Sequence, residues 1–237
     1  MPSLDSNREF HVLHLTQTKF GLYNCFMRSH SFVKGEFYHI YTHAIEGRNL
    51  FNSEDDYKRF IIAMFCANGS LPMPRIDKNS YPNLVWEIRD GKPDVGQPLV
   101  DIVAFFLMRT VFHLILGERG EGNISVFMHK LQVSFSKYYN IKYERRGHLF
   151  ERSFNSRHIE DNDYLLNVSC YVHGNPGKMN TWTGLEHNYP WSSYQDFIRD
   201  NRWGKLLKRD IVLSQFNSPN EYCEFFKQNF DPNLVWE

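Results

Sequence analysis

The sequence predicts an α+β fold in which helices pack on an antiparallel sheet of the split β-α-β type, followed by a small C-terminal helical tail. Three observations predict it. A short aromatic strand runs into an amphipathic helix, two apolar runs nearly adjoin, and a second long amphipathic helix leads to a further short strand.

The elements follow in chain order. Residues 1–32 show no clean period, and His11, His14 and His30 have no metal-ligand spacing, so this segment is left unassigned. From Glu36 to His43 the β-branched and aromatic content (Phe37, Tyr38, Ile40, Tyr41, Thr42) reads as a strand with His39, Tyr41 and His43 on one face. Ser53 and Asp56 have capping-box spacing, and Tyr57, Phe60, Ile61, Met64 and Phe65 recur at helical spacing, so a helix is expected to end near Asn68. Residues 69–98 are rich in Pro, Gly and Asn, contain only LVWEI as a run, and read as a surface excursion.

Val100 to Met108 and Thr110 to Leu116 are β-rich and nearly contiguous, which predicts an antiparallel hairpin with Val111, His113 and Ile115 on one face. Asn123 is a candidate cap for a helix to about Lys142 whose apolar stripe is Ile124, Phe127, Met128, Leu131, Phe135, Tyr138 and Tyr139. The basic stretch YERRGHLFER then leads to a strand near Phe154 to Ile159. Asp161 or Asn162 starts a helix through Tyr171 that must stop by Asn175, because Pro176 disfavours α geometry in the residue before it. The resulting order, β-α-β-β-α-β-α, is a ferredoxin-like layout. Helical patterns at 194–199, 208–216 and 220–230 form the tail, so the expected organisation is an extension over 1–32, a domain over 33–198 and a helical extension over 199–237.

Composition bounds the function classes. With 42% hydrophobic and 23% charged residues, the 237-residue chain is expected to fold around one sizeable core. Lys plus Arg and Asp plus Glu both number 27, so no global field draws the molecule onto nucleic acid and any such site must be local. The apolar runs are far shorter than the roughly 20 residues a membrane span needs. The N-terminus MPSLDSNREF lacks the layout of a secretion signal, so a cytoplasmic protein is expected. Cys25, Cys66, Cys170 and Cys223 are too scattered for a zinc site and read as reduced, mostly buried thiols.

Two patterns could carry chemistry. In DNDYLLNVSCYVHGNPG, Leu165, Val168 and Val172 define a buried stripe with Tyr164, Tyr171 and Asn175 along one edge, which stacks a phenol and an amide one turn apart. A phenol can attack phosphorus beside a metal, and an amide oxygen can ligate that metal, although a tyrosine bordering an apolar stripe is more often structural. His113 in TVFHLIL is a possible ligand, but a lone strand histidine is more often a structural hydrogen-bonder. For nucleic acid, Lys137, Lys142, Arg145, Arg146, Arg152 and Arg157 are interleaved with Phe135, Tyr138, Tyr139, Tyr143, Phe150 and Phe154, the mixture of cations and stacking rings that holds single strands. A solvated helix face with its aromatics turned inward is the alternative.

FYHIYTHAIEGRNLFNSEDDYKRF, AFFLMRTVFHLIL, FMHKLQVSFSKYYNIKYERRGHLFERSF, IEDNDYLLNVSCYVHGNP and YPWSSY stand in the order and spacing of a known family. Over about residues 34–198 the chain resembles the single-tyrosine, HUH-type transposases of small bacterial insertion sequences, in particular the REP-associated tyrosine transposases. The resemblance implies a protein that binds single-stranded or hairpin DNA and cleaves and rejoins it through a 5′-phosphotyrosine intermediate. It further implies a divalent cation, magnesium or manganese, with Tyr171 matching the nucleophile and His113 and Asn175 two of the metal ligands. The chain departs from the family where it reads Met108-Arg109-Thr110-Val111-Phe112-His113 in place of Met-Pro-Asn-His-x-His, so Val111 stands at the first metal-binding histidine. Valine cannot coordinate a metal, which leaves two expectations: a weakened DNA nicking and joining enzyme, or a relative that binds DNA without cutting it. His39, in a Tyr-His pair common in the family, reads as structural, and His43 is the candidate substitute ligand. Self-association is left open. An unrelated RNA-binding module ranks last, for want of any glycine-aromatic signature.

Overall fold

The computed structural model describes residues 31–76, 94–151 and 154–233, with Glu87 and Asp90 between. The chain divides into units 1–31 and 32–237, and every described element belongs to the second. The LVWEI run except Glu87, Cys25, the N-terminal histidines and Arg152 lie outside the described residues.

Strands β1 (Phe37–His43), β2 (Val100–Leu107), β3 (Val111–Glu118) and β4 (Asn155–Ile159) form one sheet in the order β2-β3-β1-β4, antiparallel throughout. The order follows from the connections. Helix α1 (Glu54–Ala67) carries the chain from β1 over β3 to β2, and helix α2 (Asn123–Lys142) carries it from β3 over β1 to β4, so each crossover skips one strand. The fold is thus α+β, as expected. The β2–β3 turn is closed by the Met108 and Val111 backbones, at 2.8 and 3.3 Å.

Alternation along β3 sends Phe112 and Leu114 to one face and Val111, His113 and Ile115 to the other. Helices α1 and α2 pack on the first face, where Phe60 meets Phe112 (4.7 Å between ring centroids) and Phe135 (5.1 Å). Helix α3 (Asn162–Gly174) covers the second, with Tyr171 against His113. Covered on both sides, all eight residues of β3 are buried, which is why it reads as a continuous apolar run.

The caps explain the helix starts. The Asp56 carboxylate accepts from the Asn52 and Ser53 amides, at 2.8 and 3.0 Å, as the capping-box spacing requires. The expectation for α2 needs correcting: Asn123 is its first residue rather than its cap, and the Glu118 carboxylate, from the end of β3, accepts from the Asn123 and Ile124 amides at 2.8 and 3.0 Å. Asp161 caps α3 by accepting from the Tyr164 amide at 2.7 Å. Helix α3 ends at Gly174, as expected, but not because Asn175 leaves helical geometry. Its backbone is helical (φ −53°, ψ −34°) despite the following proline, because Pro176 falls in the first turn of a new 3-10 segment, Asn175–Lys178, where its missing amide hydrogen costs nothing.

Three short helices follow: α4 (Tyr194–Ile198), α5 (Asp210–Leu213) and α6 (Pro219–Asn229). Tyr222 on α6 is fully buried, with its hydroxyl 2.7 Å from His173 Nδ1 and 3.0 Å from Ser169 Oγ on α3. The other His173 nitrogen, Nε2, lies 2.9 Å from Ser193 Oγ, which accepts from the Phe105 amide of β2 at 2.9 Å. The YPWSSY stretch thus ties α3 to the sheet. Burial alone holds the His173 imidazole down to about 3, so the folded state keeps it neutral. Its contribution to stability is therefore complete above the ordinary value near 6.5 and is lost as pH falls from there toward 3. The drop in urea midpoint between about pH 7 and pH 4 is expected to be clearly smaller in His173→Phe than in the wild type; equal drops would contradict this. Cys66 and Cys170 are buried free thiols that burial pushes up to about 12, inert as nucleophiles, and Cys223 is half-buried.

Candidate nucleic-acid site and its histidine-tyrosine cluster

The second sheet face brings together residues from three elements. Strand pairing sets Tyr41 beside His113 and His43 beside Val111 across β1 and β3, and sets Arg157 of β4 beside His39. His39 and His113 are both fully buried, and His39 Nε2 lies 3.0 Å from His113 Nδ1, one donating to the other. Tyr171 stands edge-on over the pair, its ring centroid 5.7 Å from each imidazole. The expectation that Tyr171 borders its helix needs correcting: at 2% exposure it points into the sheet, because α3 covers this face centrally. Lys178 Nζ lies 4.5 Å from the Tyr171 ring centroid, a cation–π contact. Burial, then the neighbouring His113, then the Arg157 guanidinium hold the His39 imidazole well below its ordinary value, so it is neutral.

Geometry tests whether this cluster suits a divalent cation. The two imidazoles are nearly parallel (11°) with centroids 5.3 Å apart, and their nitrogens, 3.0 Å apart, meet head-on. A cation on the line between them would sit about 1.5 Å from each nitrogen, inside the about 2.0–2.1 Å of zinc–imidazole bonds, so this gap suits a proton and not a metal. On the far sides of the two rings stand the remaining nitrogens, His113 Nε2 and His39 Nδ1, and His43 pairs with Val111 at the strand end. Asn175, 4% exposed, donates its amide hydrogen to the Tyr171 carbonyl at 2.9 Å, which leaves its oxygen as a second donor atom. At the third position Val111 is 1% exposed and contributes only methyl groups. One imidazole and one amide fall short of the three protein ligands that hold a transition ion. Among the described residues no group of three or more His, Cys, Asp or Glu is placed to hold one. His113 and Asn175 by themselves do not make such a centre.

Among the described residues, the cations expected to hold DNA lie on different elements and have different partners. Lys137 and Arg146 are exposed, on α2 and in the loop after it. Arg157 is exposed on β4, within 5.9 Å of the Tyr164 ring centroid, on the face that carries His39. Lys142 is committed elsewhere: its ammonium bonds Asp56 at 2.7 Å and Ser53 Oγ at 2.8 Å. Arg145 bonds Asn140 Oδ1 at 3.0 Å and lies over the Tyr139 ring, so it braces its own loop. Phe135, Tyr139, Phe150 and Phe154 are core residues. The alternation of basic and aromatic residues thus largely records an amphipathic helix and its packing. Lys178 carried no signal beyond following Asn175 by three residues; only the 3-10 turn folds it back over Tyr171.

Comparison with known proteins follows from this geometry. No family model matches the chain, and no curated protein matches it. Among solved structures it is similar to one described as "Structure of the REP associates tyrosine transposase bound to a REP hairpin", with 12% identity and a TM-score of 0.48 over 77% of this chain and 86% of that one. Likeness at this level assigns neither family nor activity. Among the described residues, no helix is long and apolar enough to cross a membrane.

Proposed function

We propose that this chain is a tyrosine-transposase-like protein that binds single-stranded or hairpin DNA, and that in its present form it does so without cutting. The observation that carries the reading is convergence. Sequence blocks far apart in the chain, the Tyr-His pair of β1, the Phe-His-Leu of β3 and the Tyr171 turn of α3, meet in one cluster with rings 5.3 to 5.7 Å apart. These are the blocks that carry the resemblance to the transposases. Val111, buried where a second ligand belongs, separates binding from cutting, since it deprives a divalent cation of a ligand and with it the charge stabilisation that cation would give a scissile phosphate.

Lys178, over the Tyr171 ring, and Arg157, over the Tyr164 ring, are the cations this reading assigns to phosphate contacts on this face. Titrating a labelled hairpin oligonucleotide by fluorescence anisotropy at several salt concentrations tests the proposal. Arg157→Ala and Lys178→Ala are each expected to weaken binding across sequences and to lower the salt slope by about one. Unchanged affinity and slope in both would sink this placement. In manganese the wild type is expected to form no gel-stable protein–DNA adduct; an adduct lost in Tyr171→Phe would restore the cutting enzyme.

A further inference from the structure

Six residues occur twice in this chain: Pro82-Asn83-Leu84-Val85-Trp86-Glu87 returns unchanged as Pro232-Asn233-Leu234-Val235-Trp236-Glu237. Between them the two copies hold two of the five tryptophans, so the match spends the rarest side chains. Folded repeat units run to about 20 residues or more, so a hexapeptide is too short to be one, and what two such stretches can share is a groove that recognises them. Each offers three apolar side chains followed by a carboxylate. We propose that the copy at 232–237 docks on a second copy of this chain, in the cleft between the end of α1, the loop 94–98 and the 3-10 turn Gly204–Leu206.

The cleft has the complementary chemistry. Its volume is about 340 Å³, within the range of small-ligand sites. Buried Phe65 and Val100 and half-buried Val95 and Leu206 give it apolar walls for Leu, Val and Trp. Lys205 and Lys208 also line it, and neither has an ion-pair partner among the described residues, so a glutamate closing the apolar trio meets two uncommitted cations. Asp94, the acidic group at the cleft, turns its carboxylate to the Gly96 amide at 2.8 Å. The walls are in place before docking. The Ser70 amide donates to the Gln97 carbonyl at 2.9 Å and the Leu71 amide to the Val95 carbonyl at 3.0 Å, while the Lys208 amide donates to the Ile102 carbonyl of β2 at 2.8 Å. The internal copy is the nearer rival in sequence, but its Glu87 is exposed and is not among the residues that line the cleft.

Reach assigns the docking copy to another molecule. The cleft lies at the sheet end where Val100 pairs with Glu118 and where, next to it, Gly117 pairs with Phe37 and Phe37 with Ile159, just before α3. Helix α3 runs thirteen residues, about 20 Å, away from that end to Gly174, and the Phe230 ring packs on Gly174. A hexapeptide spans about 20 Å at full stretch, so one that crossed this distance would have no length left to lie in its own cleft. The copy starts at Pro232 and Asn233, both exposed, and so is open to a neighbour.

Sedimentation velocity of the full chain without DNA, over a range of concentrations, is expected to show reversible self-association. Trp236→Ala removes the aromatic anchor, and Lys205→Glu with Lys208→Glu reverses the charge of the cleft. Each is expected to weaken the association at least about tenfold, and Trp86→Ala to leave it unchanged. The two weakened proteins lack opposite halves of a head-to-tail contact. Mixed, they are expected to form a complex that neither forms alone. A labelled PNLVWE peptide is expected to bind the Trp236→Ala protein and to lose at least about tenfold in affinity on the Lys205→Glu, Lys208→Glu protein. A full chain that stays monomeric at every concentration, a mixture that forms no complex, or a peptide that binds both proteins alike overturns the proposal. Association lost in Trp86→Ala and kept in Trp236→Ala overturns it too, because the internal copy would then be the one that docks.

Discussion

Val111→His is expected to raise manganese affinity at least about tenfold, the lower end of what even an outer-shell partner of a metal ligand is worth. Residues 111 and 113 leave β3 on one face, so the new imidazole stands beside His113. It enters a buried position, and the cost of burying a polar ring is offset only if a cation takes up its lone pair. His39 decides how well this works. When His113 donates from Nδ1 to His39 Nε2, across the 3.0 Å contact, Nε2 of His113 is left as the lone pair a metal needs; the opposite tautomer protonates it. Adding His39→Leu to Val111→His is therefore expected to remove tenfold to a hundredfold of the affinity. Calorimetry with manganese gives both numbers, and thermal unfolding shows whether the variants fold. A folded Val111→His protein with wild-type metal affinity would mean that more than one position has drifted, with Asn175 next in line.

The second large effect concerns stability. Asp56 is fully buried and its carboxylate accepts from the Tyr138 and Tyr143 hydroxyls, the Lys142 ammonium and two backbone amides. Burial alone would raise this carboxyl, but Lys142, Tyr143, the Asn52 amide and Tyr138 together hold it below its ordinary value. Asp56→Ala removes the carboxylate of the α1 capping box, leaves two phenols without their acceptor and leaves the Lys142 ammonium with Ser53 Oγ, for an expected loss of about 3 kcal/mol. Lys142→Met, at a side chain 27% exposed, removes only one of the donors and is expected to cost about 1 kcal/mol. Urea unfolding of both variants checks the ranking. The same Lys142→Met protein should bind hairpin DNA with an unchanged salt slope, since its ammonium serves the α1–α2 junction; a slope lower by about one would return Lys142 to the DNA surface. Because the Asp56 carboxyl is depressed, its contribution is present above about 3.8 and fades only as pH falls below that.

Local signals made much of the framework legible. The alternation of β1, the two-residue gap before Val111 and the capping residues Asp56 and Asp161 act within a few residues of the element they shape, so the sequence alone predicted the strands, the hairpin and the ends of α1 and α3. Where the determinant came from another element, reading failed. The cap of α2 is a glutamate at the end of β3, and the helical Asn175 opens a 3-10 turn that takes in the proline.

The candidate site divides along the same line. Residue identity by itself determined that position 111 carries no metal-binding atom, and helical spacing set Tyr171 and Asn175 one turn apart. Only the tertiary structure decided that Tyr171 faces inward, that His39 engages His113, and that Lys142 belongs to Asp56. The physical reason is that periodicity specifies which residues share a face but not what lies opposite. Partners separated by 74 and 86 positions are chosen by the sheet order and the helix seam, where burial makes an unpaired donor costly.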